Sequence, residues 1–372
     1  MSFETDTLTY KAVTYFDGSD PLTLTDKTIK LEKKPNGKYG INSKKILVKV
    51  NYAALNPVDL VIYRSSPKLL SRFIGEQGIG RDYSGTIVDI GDEAAEKTSF
   101  KINDQISGMY PRFFGPGTVA EYVILDPFDE KDVESALIPK NLSLSEASAF
   151  PLVLGTALDV FDKASELNSN SKVLIIGAGT SVGRYLVQLA KNYYNVKEIV
   201  TTNSPKSDDD IKSFGADKII DYTKHKSILN PVLESVKETG KFDAILDSAG
   251  SSDLFPQINE ILKHKNEGGS YVTVVGDKKY EYTTATIFGL FLPNIKAIYR
   301  TFAELFGLTT YSYKFSFVSP GTKWIDHAKD LIEKETLKVN VDSIHKLSNF
   351  QDAFERLSTN KAQGKVLIEL SE

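Results

Sequence analysis

The chain has 372 residues, of which 41% are hydrophobic and 25% charged, and its formal net charge is −4. This length favours two domains, and a slightly acidic chain without a basic block argues against nucleic acid as a partner. The absence of cysteine excludes disulfides, thiol nucleophiles and cysteine-ligated metals. The histidines lie too far apart for a zinc-binding pair, so we expect no metal site. They are His225, His264, His327 and His345.

The first residues, MSFETDTLTYK, lack the apolar segment of a signal peptide. No apolar run reaches the ~18 residues that a membrane-spanning helix needs. We therefore expect a cytoplasmic protein. No G-x-S-x-G turn occurs, which disfavours a serine hydrolase.

Residues 1–137 are rich in predicted strands. Ile46, Val48 and Val50 stand at alternate positions, with Lys49 and Asn51 after Val48 and Val50, and the runs TIVDIG (86–91) and TVAEYVIL (118–125) are typical of strands. Segments rich in glycine and proline separate these runs. The pattern predicts a first lobe, built mainly of strands, that ends near residue 137.

From about residue 140 the pattern alternates between helix and strand. Residues 144–161 are predicted to be helical, and five strands follow, with helical segments between several of them. The predicted strands are 173–177, 198–203, 218–222, 243–248 and 271–276. This alternation is typical of a doubly wound parallel sheet, so we predict an α/β Rossmann domain over residues 138–320. The tail, 321–372, is predicted to hold helices near 324–335 and 350–358 and strands near 341–347 and 365–370.

A glycine turn connects the first of these strands to a predicted amphipathic helix. The stretch KVLIIGAGTSVGRYLVQLAKNYY (172–194) carries glycines in a GxGxxxG spacing. Backbone N–H groups at such a helix start attract a pyrophosphate, as in dinucleotide sites. The predicted cofactor contacts in this turn are Gly177, Gly179, Thr180, Ser181, Val182 and Gly183.

The end of the next strand favours NADPH over NADH. An acidic residue about 20 positions after the glycine turn usually binds the ribose of NAD, but Asn203 stands there. Ser204 and Lys206 are able to donate to a 2′-phosphate instead. The alternative is a solvated turn in which Lys206 has no role, and the acidic run Asp208–Asp210 offsets part of the positive charge.

Two further strand ends are predicted to border the nicotinamide, since ligands of open α/β sheets lie beyond the carboxyl ends of the strands. Small residues there, in DSAG (247–250) and VVG (274–276), allow a flat ring to approach closely. The predicted contacts are Ser248, Gly250 and Val275. Ordinary strand-to-loop turns are the alternative.

The segment 283–318 is unusually apolar and aromatic, and Pro293 prevents it from forming one long helix. One hypothesis is a helix and strand buried at a domain or subunit interface. The other is a surface that faces lipid, with aromatic side chains such as Phe288, Phe291 and Phe302 inserted.

Several segments in family order carry a resemblance that spans nearly the whole chain. They are NYAALNPVDL (51–60), GRDYSGTIVDIGDE (80–93), TVAEYV (118–123), VLIIGAGTSVGRYLVQLAK (173–191), FGADKIIDY (214–222), FDAILDSAG (242–250) and QGKVLIEL (363–370). The chain resembles the zinc-free medium-chain dehydrogenases/reductases of the quinone-oxidoreductase type, most of all a fungal branch found on lipid droplets and mitochondria. The resemblance implies a GroES-like, partly open β-barrel from the N-terminal part and the tail, with a Rossmann domain between them, and a homodimer.

The resemblance also implies a reaction. Where zinc-dependent relatives have Cys, His and Glu, this chain has Asn56, Arg81 and Asp82. Without those zinc ligands, the resemblance implies a metal-free reaction in which hydride passes from NADPH to a quinone or an α,β-unsaturated carbonyl. The implied catalytic residues are Asn56 and, with a one-residue shift, Tyr63; Tyr222 matches a position near the adenosine phosphate. Because Thr180 and Ser181 stand where relatives have glycines, the alternative is a catalytically degenerate protein that serves as a recruitment factor on a lipid droplet or mitochondrial surface.

Overall fold

The computed structural model of the chain describes residues 3–112, 114–129, 134–277, 295–318 and 324–371. The first lobe contains ten strands and three helices among these residues. Its strands are β1 (Thr7–Tyr15), β2 (Thr23–Lys30), β3 (Glu32–Lys33), β4 (Tyr39–Gly40), β5 (Ile46–Leu55), β6 (Gln77–Gly78), β7 (Asp82–Ile90), β8 (Gln105–Met109), β9 (Tyr122–Leu125) and β10 (Glu134–Leu137). Its helices are α1 (Pro57–Ser65), α2 (Lys68–Ile74) and α3 (Asp92–Lys97).

The second part of the chain alternates helix and strand. Its strands are β11 (Lys172–Ile176), β12 (Glu198–Asn203), β13 (Lys218–Asp221), β14 (Ala244–Asp247), β15 (Ser270–Thr273), β16 (Ser312–Phe315), β17 (Val341–Lys346) and β18 (Lys365–Glu369). Its helices are α4 (Leu144–Ser148), α5 (Pro151–Lys163), α6 (Ser181–Asn192), α7 (Asp208–Ser213), α8 (Leu229–Thr239), α9 (Ile258–Ile261), α10 (Ile295–Leu305), α11 (Trp324–Glu333) and α12 (Phe350–Ser358).

The largest sheet belongs to the first lobe and includes the tail. Its order is β10-β8-β7-β5-β18-β17, and β9 also pairs with β5. Strand β18 lies antiparallel to β5, with Leu367 opposite Ala54. The C-terminal strands therefore complete the sheet that the N-terminal residues begin, as the resemblance implied. The domain boundaries at 137/138 and 320/321 stay predictions.

The second sheet is the parallel sheet that the alternation predicted. Its order is β13-β12-β11-β14-β15-β16, and every pair in it is parallel. From β11 the sheet continues through β12 to β13, and from β14 it continues in the opposite direction through β15 to β16. The space beyond the carboxyl ends of β11 and β14 is therefore the switch point, where such sheets bind ligands.

The parallel sheet is buried on both faces because successive side chains of a strand point in opposite directions. In β11, Val173 and Ile175 pack into the cluster that includes α5 and α6. Leu174 and Ile176 pack into the opposite cluster, which includes α8 and α9. This explains the unbroken apolar run in the sequence.

One difference from the predicted elements has a clear cause. The predicted helix over 144–161 is two helices, because Pro151 lacks an N–H and occupies the first turn of a new helix, α5. The apolar segment 283–318 contributes α10 and the edge strand β16. Its residues 283–294, including Phe288, Leu290, Phe291, Leu292 and Pro293, lie outside the described residues. Within the described ranges, no helix is both long and apolar enough to cross a membrane.

Candidate active site

The glycine turn between β11 and α6 has the predicted strand–turn–helix form. Gly177 adopts φ 79°, and its N–H and that of Ala178 both donate to the carbonyl of Thr202, which ties the turn to β12. A Cβ atom at Gly183 would lie 2.2 Å from the carbonyl oxygen of Gly177. Only glycine therefore allows α6 to pack this closely on the end of β11.

The N-terminus of α6 offers two free backbone donors. Thr180 is the N-cap, and its Oγ1 accepts the N–H of Gly183 at 2.9 Å. The N–H groups of Ser181 and Val182 donate to no acceptor among the described residues. Unpaired amides and the helix dipole both attract an anion, so the turn fits a pyrophosphate.

The Thr180 hydroxyl is engaged inside the turn. Its Oγ1 lies 2.9 Å from Oγ of Ser248, and Ser248 also contacts the carbonyl oxygens of Ile176 and Gly177. The sequence suggested that Thr180 would either crowd or bind a pyrophosphate; the structure gives it a third role, capping the helix. The Ser181 hydroxyl makes one contact, of 3.5 Å, with the carbonyl of Gly364. The assignment of Thr180, Ser181 and Ser248 to the cofactor stays a prediction.

The carboxylate of Asp208, which sequence analysis named only as part of an acidic run, is bound to the end of β12. Nδ2 of Asn203 donates to Oδ1 of Asp208 at 2.8 Å, and Asn203 is buried. Ser204 is half-buried and Lys206 is exposed. The sequence signal for this contact was an acidic residue five positions after Asn203, at the start of a short helix. Tyr222 is half-exposed, and its role near the adenosine phosphate stays a prediction.

The ends of β14 and β15 are organised by Asp247, which sequence analysis missed. Its Oδ1 accepts the N–H groups of Ala249 and Gly250 at 3.0 and 2.7 Å. Its Oδ2 accepts the Tyr271 hydroxyl at 2.8 Å. Burial raises the pKa of Asp247 to about 6, although these hydrogen bonds act in the opposite direction.

The residues predicted to contact the nicotinamide lie beside this arrangement, and their role stays a prediction. Gly250 has φ 80°, a conformation that favours glycine. Val275 is half-buried in the loop after β15. Because all strands of this sheet are parallel, Ser248, Gly250 and Val275 lie at the same edge as the glycine turn.

Asn56 lies in a buried charged cluster between the lobes. Its Nδ2 donates to Oδ2 of Asp82 at 2.9 Å, and its Oδ1 accepts from Nζ of Lys365 at 2.5 Å. Lys365 also contacts Asp82 at 2.9 Å. A second ion pair, Arg81–Asp59 at 3.0 Å, lies beside it, and Asp59 accepts the N–H of Asn56. Both ends of the Asn56 amide are thus engaged, and Lys365, which no local pattern marked, is a member of this cluster that sequence analysis missed.

Tyr63 does not join this cluster. Its hydroxyl donates to the carbonyl of Asp20, and its ring packs edge-on against Tyr15, with centroids 4.8 Å apart. Asn56 and Tyr63 stand at opposite ends of α1, about 10 Å apart along the helix axis. The catalytic role of Tyr63 stays a prediction, and its hydroxyl already has a partner.

The three positions that the resemblance matched to zinc ligands, Asn56, Arg81 and Asp82, hold an amide, a guanidinium and a carboxylate. In the part of the chain that the structure describes, no three histidine, cysteine or acidic side chains form a group that is able to hold a metal ion. The metal-free reaction remains a prediction for experiment.

Two family models match the chain. The model described as "Alcohol dehydrogenase GroES-like domain" matches residues 42–131, and that described as "Zinc-binding dehydrogenase" matches residues 214–368. The first range covers strands β5 to β9 of the first lobe, and the second covers β13 to β18, so the glycine turn between β11 and α6 lies outside both matches. The medium-chain fold that they represent binds nicotinamide dinucleotides in general.

Solved structures and relatives agree with these matches. A quinone oxidoreductase from Coxiella burnetii superposes with a TM-score of 0.74 at 22% identity, covering 98% of this chain and 100% of that one. The human synaptic vesicle membrane protein VAT-1 homolog-like protein superposes at 0.68 and 19% identity, covering 98% and 99%. At these identities they show the fold.

Two fungal relatives extend along the whole chain. Protein YIM1 of Vanderwaltozyma polyspora is 34% identical, covering 97% of this chain and 99% of its own. Protein YIM1 of Saccharomyces cerevisiae is 30% identical, covering 98% of each. The chain therefore belongs to the medium-chain dehydrogenase/reductase family, together with the fungal YIM1 proteins.

Proposed function

We propose that this protein is an NADPH-dependent, metal-independent reductase that transfers hydride to a quinone or an α,β-unsaturated carbonyl. The observation that carries the proposal is the glycine turn, where two unpaired amides begin α6 and Gly183 leaves no room for a side chain. Such a turn at the switch point of a parallel sheet is suited to a dinucleotide. The bound nicotinamide would supply the hydride.

The preference for NADPH rests on the end of β12. Ser204 and Lys206 are accessible there, and one oxygen of Asp208 is occupied by the Asn203 amide. An exposed ammonium attracts a 2′-phosphate, and a hydroxyl donates to it. We expect NADPH to bind at least ~10-fold more tightly than NADH, which corresponds to about 1.4 kcal/mol.

The test is titration of both cofactors by fluorescence. Lys206→Ala should remove most of the preference, and Lys212→Ala, which removes an exposed lysine of α7, should leave it unchanged. Equal affinities for the two cofactors, or equal behaviour of the two variants, would contradict the NADPH assignment. A chelator in the same assay should leave turnover of a quinone unchanged, because no cysteine is present and the histidines are scattered.

The chemistry of a metal-free reduction supports a quinone or an α,β-unsaturated carbonyl as the substrate class. Reduction of a quinone or enone places negative charge on an oxygen through the conjugated system, so a hydrogen-bond donor is sufficient in place of a Lewis acid. The charged cluster at Asn56, Asp82 and Lys365 would supply donors on the substrate side. We also propose a cytoplasmic homodimer, in accord with the family.

A second candidate function is a recruitment factor on a lipid droplet or mitochondrial surface. One observation favours it: α10 exposes a continuous apolar stripe, formed by Ile295, Ile298, Tyr299, Phe302 and Leu305. A surface of this kind is typical of binding to lipid or to protein. Binding of NADPH with turnover supports the reductase; a folded protein that binds neither cofactor supports the recruitment factor.

A further inference from the structure

Lys365 has more hydrogen-bond donors than the described residues use. Its ammonium group carries three N–H bonds, and its acceptors are Oδ1 of Asn56 and Oδ2 of Asp82. No other described residue accepts from it. Its side chain is only 4% exposed, so bulk water does not surround the remaining N–H. A buried donor of this kind is expected to have a partner.

Residues of both lobes hold the acceptors of Lys365 in place. Oδ1 of Asp82 accepts the N–H of Leu152 at 2.9 Å, and Leu152 lies in the first turn of α5. Oδ2 of Asp82 accepts from both Asn56 and Lys365. Every acceptor atom of the carboxylate is therefore engaged, and the ammonium is held where the first lobe meets α5.

A second unpaired donor lies in the same region. The hydroxyl of Tyr185, on α6, is buried and has no hydrogen-bond partner among the described residues. Burial, and to a smaller extent the charge of Asp82, raises the pKa of Tyr185, so the hydroxyl keeps its proton. Among the described residues, the region around Asp82 thus holds two donors without a partner, whereas both oxygens of its carboxylate already accept hydrogen bonds. A ligand that brings an acceptor oxygen would satisfy them.

We propose that Lys365 donates its third N–H to the substrate oxygen that becomes negatively charged during reduction. This inference rests on the proposed function. In that reaction the substrate takes up a hydride at the conjugated carbon, its π electrons move to the oxygen, and the resulting oxyanion then takes a proton from solvent. A preorganised ammonium in a water-poor site stabilises such an oxyanion strongly. In this way Lys365 would serve in place of the metal that zinc-dependent relatives use.

The main experiment uses a charge-matched double variant. Lys365→Met alone would leave the Asp82 carboxylate buried without its cation and would destabilise the protein. Combining it with Asp82→Asn removes both charges and leaves two amides, at 56 and 82, to bond with each other. We expect this variant to fold and to bind NADPH like the parent, while kcat with 1,4-naphthoquinone falls about 100-fold or more.

Lys172→Met is the matched control. Lys172 is also a buried lysine, but it lies at the amino end of β11, where its Nζ contacts the carbonyls of Ser235 and Gly240. Its loss should lower the melting temperature and leave kcat unchanged below that temperature. If the double variant keeps the parental kcat, Lys365 is only the partner of a structural ion pair and the proposal is wrong.

A second measurement does not depend on turnover. 4-Nitrophenolate is an oxyanion whose absorption band shifts when it accepts a hydrogen bond. The parent protein should bind it and shift the band, and the double variant should do neither. If the double variant instead loses NADPH while it keeps 4-nitrophenolate, Lys365 serves the cofactor, and the proposal is overturned.

The two proposals fail in different ways. If the parent reduces no quinone or enone, the proposed function fails. The oxyanion site is then supported when 4-nitrophenolate binding depends on Lys365, and it is overturned when the parent does not bind the probe. If the parent reduces quinones but the double variant is equally active, only the role of Lys365 fails.

Discussion

Helices α6 and α10 are nearly equal in length and equally amphipathic in sequence, yet the protein covers the apolar face of one and exposes that of the other. In α6, eight of twelve residues are buried, including Leu186, Leu189 and even Arg184. In α10, only Ala297 and Ala303 are buried among eleven residues. Its large apolar side chains, such as Tyr299 and Leu305, are 68% and 73% exposed. Periodicity therefore predicts that a helix has an apolar stripe, but not what covers the stripe.

The inner face of α10 explains how the helix is held. Its alanines allow a close approach to the sheet, and Arg300 forms an ion pair with Asp277. The guanidinium also lies 3.4 Å from the centroid of the Phe255 ring, a cation–π contact. The helix is thus attached through a charge and two small residues, which frees its apolar face for another surface.

The largest effect is expected at the start of α6. Gly183→Val would place a side chain against the carbonyl of Gly177, 2.2 Å from the position of the new Cβ. We expect NADPH binding to be lost and the first lobe to stay folded, as measured by thermal shift and circular dichroism. Gly240→Ala is the control. Gly240 has a positive φ, but no atom lies within 4 Å of the position that a Cβ would take there. The substitution should cost about 1–3 kcal/mol because of the backbone conformation of Gly240 and keep NADPH binding. Normal binding by Gly183→Val would show that the cofactor lies elsewhere.

The next effect concerns the attachment of α10. Arg300→Met removes the cationic side of the ion pair with Asp277, whose side chain is 6% exposed. We expect the free energy of unfolding to fall by about 3 kcal/mol, measured by urea titration. Arg64→Met is the control, since Arg64 is exposed and stacks on Tyr63; it should cost only about 0.5 kcal/mol. Equal losses in the two variants would mean that Arg300 does not hold the helix.

Asp247 is connected to the surroundings of both helices, and its carboxyl group makes the free energy of unfolding depend on pH. It organises the loop beside the α6 turn and binds Tyr271, whose ring stacks on Tyr313 in the cluster beneath α10. Burial raises its folded pKa to about 6, above the ordinary aspartate value of 3.8. The folded state therefore binds the extra proton, and Asp247 lowers stability as the pH rises from about 4 to 6.

This dependence can be isolated by substitution. The shift corresponds to roughly 3 kcal/mol across that window. Asp247→Asn should remove this contribution, so the difference in unfolding free energy between parent and variant should change with pH between 4 and 6 and be constant above 7. A difference that does not vary with pH would mean that the Asp247 carboxyl titrates normally.

The sequence predicted local elements well because their signals are local. The run 198–203 is β12 and 350–358 is α12, as expected, since apolar periodicity and flanking turns specify both. It missed contacts between distant residues. Lys365 and Asn56 are 309 positions apart, and no pattern at either residue indicates the other.

The hydrogen-bond partners of individual hydroxyl groups were also not predictable from the sequence. Sequence analysis offered two ligand-related roles for the Thr180 hydroxyl but not the contact that the structure shows, in which it accepts the N–H of Gly183 and caps α6. Tyr63 lies two helical turns from Asn56, and the loop at Asp20 takes its hydroxyl. Such choices depend on which partner the fold places nearest, and that is settled only when the lobes have packed.

The smallest effect on stability, and the sharpest test of the comparison, is expected on the outer face of α10. Phe302 and Leu305 are 57% and 73% exposed, so Phe302→Asp with Leu305→Asp should change the free energy of unfolding by no more than about 0.5 kcal/mol. If a second copy covers the stripe, the parent sediments as a dimer and the variant as a monomer. If lipid covers it, the parent floats with anionic liposomes and the variant does not.

The control substitutes an equally exposed pair on the other lobe, Leu69→Asp with Phe73→Asp, which should alter neither behaviour. A parent protein that is monomeric and does not bind liposomes would refute both hypotheses for this face. A large loss of stability would show instead that α10 packs its stripe within the chain. A variant that loses self-association or lipid binding and keeps full stability and NADPH affinity would establish that α10 presents its apolar face outward for a partner, whereas α6 uses its own to support the cofactor site.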